Sequence, residues 1–118
     1  LWDAHSIASV VPRLFDGELP VLNIGTDGGQ SCAASMATSV ADVAAASPCS
    51  TIVNGRFQGG YITRHYGDPE NDVHALQLEI AQRAYLDEKT TNFDARKASN
   101  LRGTLRPMLE MFVESAER

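Results

Sequence analysis

Long apolar runs, clusters of basic residues and cysteines at motif spacing are all missing from this chain of 118 residues. No stretch approaches the ~18 consecutive apolar residues of a helical membrane span, so no bilayer crossing is expected. Lys and Arg number ten against fifteen Asp and Glu, a net charge of −5. With no cationic run in so acidic a chain, neither nucleic acid nor an anionic lipid surface is expected as a partner. Cys32 and Cys49 are the only cysteines, spaced neither as a C-x-x-C redox pair nor as a zinc finger. Two reduced thiols in a cytoplasmic protein is the expectation, although two cysteines also permit a disulfide. A signal peptide is not expected, because Asp3 and His5 interrupt any apolar core and no basic segment precedes them. The first residue is Leu1 rather than Met, which reads as a processed or excised piece. What remains is 43% hydrophobic and 21% charged, an ordinary globular balance that excludes disordered and low-complexity classes.

Gly, Pro and Asp clusters divide the chain into short units without an internal repeat. Leu1 to Ile7 reads as a strand, Ser9 to Pro20 as a loop, and Val21 to Ile24 as a buried strand running into Gly25-Thr26-Asp27-Gly28-Gly29. Cys32, Met36, Val40 and Val43 recur as one helix face, with Ser31 as the expected N-cap and Ser47-Pro48 as the stop. Thr51 to Val53 is extended, and the Tyr, Ile and Thr content of Tyr61 to Tyr66 predicts a further strand. Asp68 to Asp72 is a turn. From Val73 to Ala81 the residues alternate, with His74, Leu76, Leu78 and Ile80 on one face and Ala75, Gln77 and Glu79 on the other. A second helix follows from Asp94, which Pro107 should kink or divide just after Gly103-Thr104. The order predicts an α/β fold. So few strands leave an exposed sheet edge or face, to be covered by further sequence or by a partner, an oligomer included.

Three patches could carry chemistry. Asp3-Ala4-His5-Ser6 ends a strand, where His5 suits a metal ligand and the carboxylate two residues back can orient its ring. The segment Asn54 to Gly67 holds four glycines, two arginines and three aromatics, with no acid in an acidic chain. Close backbone approach at glycine and two bidentate guanidiniums suit a small anion. The competing structural reading is a Gly-rich hairpin whose arginines pair with neighbouring acids. Glu79 is a carboxylate within an apolar strand, either salt-bridged at an edge or partly desolvated toward the range of a general base. The loop after Ile24 lacks the Gly-Lys-Ser/Thr ending of a phosphate loop, so a plain strand-to-helix turn is expected there.

These patches together resemble the C-terminal portion of the N-formylglutamate amidohydrolase (N-formylglutamate deformylase) family. The resemblance is carried by Asp3-Ala4-His5-Ser6-Ile7, Val11 to Gly17, Leu22-Asn23-Ile24-Gly25-Thr26, Ser31-Cys32, the Asn54 to Gly67 block, His74 to Glu79 and Tyr85-Leu86-Asp87-Glu88. It covers most of residues 1–90, and the final helix matches only in character. It implies metal-assisted hydrolysis of N-formyl-L-glutamate to glutamate and formate, within histidine degradation. It also implies a mixed, mostly parallel sheet flanked by helices, similar in plan to zinc carboxypeptidases and aspartoacylases. On that resemblance His5 is a ligand of zinc or another divalent metal, and Glu79 activates water. Arg56 and Arg64, with Asn54 and Tyr61 beside them, bind substrate. The family's first two metal ligands have no counterpart here, so residues 1–118 are expected to be the C-terminal portion of one α/β domain, inactive alone. His65 could complete a different site, whereas His74 faces away from Glu79. Two rivals remain: a non-catalytic module holding a small acidic metabolite, and an amidohydrolase for another N-acyl acidic amino acid.

Overall fold

The computed structural model describes all residues from 1 to 118. Strands β1 (Trp2–Ile7), β2 (Leu22–Gly25), β3 (Thr51–Val53) and β4 (Leu76–Ala81) form one sheet in the order β1-β4-β2-β3. The β1–β4 and β2–β3 pairs are parallel and the β2–β4 pair is antiparallel. The expected mixed, mostly parallel sheet is therefore present. Helices α1 (Ala34–Ala45), α2 (Tyr61–Tyr66) and α3 (Ala95–Glu117) complete the fold.

Alternation along the strands separates two faces. Leu22, Ile24, Leu76, Leu78 and Ile80 pack with Met36 and Val40 of α1 and with Leu101, Met108 and Phe112 of α3 in one core cluster. The edge of Trp2 meets the Phe112 ring, at a centroid distance of 5.4 Å. The opposite face carries Asp3, His5, Asn23, Gln77 and Glu79. Loops rather than long helices cover it.

Four local expectations need correction. Residues Tyr61–Tyr66 form a helix, not a strand. Gly59 at φ +115° turns the chain, Thr63 Oγ1 donates to the Gly60 carbonyl, and Gly67 N–H closes on Thr63. No neighbouring strand offers this segment a ladder, so context overrides its β-propensity. Ser31 does not cap α1: its hydroxyl donates to the Ala75 carbonyl. The acceptor at that helix end is His74 Nδ1, which takes the Ala33 N–H at 3.1 Å. His74 thus precedes β4 and serves α1 instead of lying on the strand's apolar face. Pro107 does not divide α3, which runs unbroken for 23 residues from its Asp94 cap. Gly103, whose carbonyl the missing proline N–H leaves free, lies with Pro107 on the solvent side, where water can satisfy that oxygen. Both cysteines are free, Cys32 buried and Cys49 half-buried.

Candidate active site

The β1–β4 register sets His5 beside Glu79, and the β4–β2 register sets Glu79 beside Asn23. Three residues far apart in sequence therefore form a row across adjacent strands, on the face away from the helices. Asp3 lies two residues before His5 on the same face, and its Oδ1 meets His5 Nε2 at 2.9 Å. The ring is half-exposed, so Nδ1 is the nitrogen this contact leaves free. Glu79 is 8% exposed. Burial pushes its carboxyl above the ordinary carboxylate range, the His5 charge opposes that rise, and Asp3 adds to it. The alternative of an edge salt bridge does not hold, since Glu79 takes part in no ion pair.

Above this face lies the Asn54–Gly67 segment, held by backbone contacts that glycine makes available. A Cβ on Gly25 would sit 2.5 Å from the Gln58 carbonyl carbon, so only glycine lets the two segments touch. Asp27 N–H donates to the Gln58 carbonyl beside that contact, at 2.6 Å. Gln77, on the same strand face as Glu79, accepts the Gly60 N–H at 3.1 Å and ties the start of α2 to the sheet. Asn54 adopts φ +50°, accepts from Thr26 N–H and donates to Thr26 Oγ1. Its amide is spent on clamping two loops together.

The two arginines sit on this tethered segment. Arg56 donates through Nε to the Leu14 carbonyl and lies 5.4 Å from the Phe57 ring centroid. Phe57 in turn meets Phe15 edge-on, so the arginine and its neighbour help to hold the 9–20 loop. Arg64 donates to the Gly59 carbonyl at 3.2 Å. Neither guanidinium has a carboxylate partner: the ion pairs are His5–Asp3, Arg83–Glu18 and Arg118–Glu114. The structural reading of acid-paired arginines therefore fails. Tyr61 is exposed and stacks on His65, centroids 4.8 Å apart, while His65 meets Tyr66 edge-on. His65 is engaged in this aromatic stack.

No three His, Cys, Asp or Glu side chains gather here at metal-binding distances. The chain offers one imidazole, His5, with the Asp3 carboxylate on its ring, short of the three protein ligands a catalytic zinc takes. Two further members of the site escaped sequence reasoning. Asn23 is the one polar side chain of β2, and Gln77 shares β4 with Glu79 among apolar residues, a signal of the same kind as Glu79 but without its charge.

A family model described as N-formylglutamate amidohydrolase matches residues 1–86. An N-formylglutamate deformylase of Pseudomonas aeruginosa is 53% identical over 115 residues, covering 96% of this chain and 43% of that protein. One from Pseudomonas putida is 55% identical over 89 residues, covering 75% and 33%. The chain thus spans less than half the length of these relatives. A crystal structure of N-formylglutamate amidohydrolase from Ralstonia eutropha JMP134 superposes with a TM-score of 0.79 at 20% identity, over 98% of this chain and 41% of that one. That likeness establishes the α/β fold.

Proposed function

The chain belongs to the N-formylglutamate amidohydrolase family, and on that premise we propose that it supplies the general base and the carboxylate-binding arginines for hydrolysis of N-formyl-L-glutamate. One observation carries the reading. Two arginines without acidic partners, in a chain of net charge −5, sit on the segment whose Gly60 is tied to Gln77, on the sheet face that holds His5 and Glu79. A substrate with two carboxylates suits two guanidiniums that each spend one N–H on a backbone carbonyl and keep others for a carboxylate.

In this reading Glu79 takes a proton from a water molecule as the water oxygen attacks the formyl carbon. It then delivers that proton to the amine nitrogen as the C–N bond breaks, releasing glutamate and formate. Burial suits the carboxylate to both transfers. Arg56 and Arg64 fix the substrate, Asn54 holds their loop in place through Thr26, and the exposed Tyr61 ring flanks the approach. A divalent metal such as zinc belongs to the proposal with His5 as this chain's ligand, and its remaining donors are not among the residues gathered here. When bound, such an ion supplies Lewis acidity. The same proposal makes this hydrolysis the last step of a histidine-degradation route.

The test is formate release from N-formyl-L-glutamate by the protein that carries this chain. Glu79→Ala with its fold intact should lower kcat by about 10²–10⁴-fold, and Arg56→Ala or Arg64→Ala should act chiefly on KM. The 118-residue chain by itself should bind zinc weakly and release no formate. The incomplete ligand set gives the binding-module reading its footing. Calorimetry with glutamate and N-formylglutamate in chelator separates the two, since binding indifferent to metal removal favours the module.

A further inference from the structure

Asn23 is 1% exposed in β2, one of the two interior strands, and it is that strand's sole side chain able to donate and accept hydrogen bonds. Its Nδ2 donates to the Pro20 carbonyl at 2.8 Å and to the Glu79 carbonyl at 3.1 Å. Both partners are acceptors, so the orientation of the amide is unambiguous. Its Oδ1 is buried without a hydrogen-bond partner. A buried carbonyl left unpaired costs stability, and a β-branched apolar residue would suit this strand without that cost. The Asn23 amide therefore sits at a stability cost where its two donors bind the loop that ends at Pro20 and the residue proposed as general base.

The Glu79 carboxylate has no hydrogen bond or ion pair of its own within the chain, so its placement depends on its backbone. The one side chain that bonds that backbone is Asn23. We infer that Asn23 is a positioning residue, which fixes Glu79 in the His5–Glu79–Asn23 row and locks the Pro20 loop against it; the inference rests on the role of Glu79 proposed above. The arginine segment is tied to the sheet through Gly25, Asp27 and Gln77, and its one arginine contact with the 9–20 loop is at Leu14, away from the Pro20 carbonyl that Asn23 holds, so the effect of losing Asn23 should fall on kcat.

The test is steady-state hydrolysis of N-formyl-L-glutamate by the intact protein carrying Asn23→Val or, should valine not be accommodated, Asn23→Ala. Displacing a reacting group by a fraction of an ångström to an ångström predicts a kcat loss of about 10- to 100-fold, with KM unchanged, at a temperature where the variant is fully folded. Unchanged kcat, or kcat and KM worsening together, overturns the inference. Amide hydrogen exchange separates its failure from that of the functional reading. If the wild-type protein releases no formate, the function falls. Faster exchange confined to Glu79 and its β4 neighbours would still support Asn23 as their anchor, and exchange unchanged there, or raised throughout the chain, would overturn it.

Discussion

Replacing glycine by alanine at two positions, Gly25 and Gly103, should move stability in opposite directions for reasons visible in the fold. At Gly25 the added methyl would lie 2.5 Å from the Gln58 carbonyl carbon, 2.7 Å from the Gly59 nitrogen and 2.8 Å from the Gln58 oxygen. Carbon atoms rest about 3.5–4.0 Å apart, so one of the two segments must retreat by about 1 Å. All three contacts are backbone, and no flexible side chain can absorb the move. Overpacking of this kind costs about 1–3 kcal/mol. With a urea dependence of about 1–3 kcal/mol per molar, the midpoint should fall by about 1 M. The retreating segment carries Arg56 and Arg64, and a misplacement of about 1 Å can cost 10²-fold in rate. Gly103 lies in the interior of α3, faces solvent, and has nothing within 4 Å of an added Cβ. Alanine there should stabilise by about 0.5–1 kcal/mol through helix propensity and leave hydrolysis untouched. Urea melts and formate-release rates on the two variants check the pair. A Gly25→Ala protein as stable and as active as wild type would refute the claim that backbone contact holds the arginine segment.

Glu79→Gln should lower kcat by about 10²–10⁴-fold, as the alanine variant does, yet raise the melting temperature at neutral pH. Burial raises the folded-state pKa above its unfolded value, so the native chain binds the extra proton and loses stability as pH climbs from the ordinary carboxylate range through the raised value. The advantage of glutamine should vanish in acid, and a melting series in chelator from acid to neutral pH reads the sign. His74→Ala should cost about 1 kcal/mol by removing the acceptor at the start of α1, and Asn at the same position should recover part of it in the same melts. For the thiols, burial pushes Cys32 up while Cys49 is half-buried. An aromatic disulfide reagent should titrate one thiol in the native chain and two in urea.

Much of the site was legible because charge is conspicuous in an apolar strand. Glu79 stood out against Leu76, Leu78 and Ile80, and the alternation of that strand correctly placed it opposite them. Segment 54–67 stood out for its arginines in an acid-rich chain. Its helix did not, because Tyr, Ile and Thr favour strands and only the missing ladder neighbour decides otherwise. The cap of α1 was illegible for a similar reason. Ser31 is the local candidate, but its hydroxyl and the His74 ring are assigned by how β4 docks beside the helix start. Pro107 misled because a proline break is local, whereas the burial of Leu101, Met108 and Phe112 along one face outweighs one lost hydrogen bond.

Composition and order of elements sufficed to determine an α/β chain without a helical membrane span, and residue types sufficed to nominate His5, Glu79, Arg56 and Arg64. Those are properties of individual residues and of their periods. Tertiary structure alone decided that β4 lies between β1 and β2, parallel to one and antiparallel to the other. That register brings His5, Glu79 and Asn23 from positions up to 74 residues apart into one row, because strands so far apart in sequence meet only when the chain between them has closed into a loop.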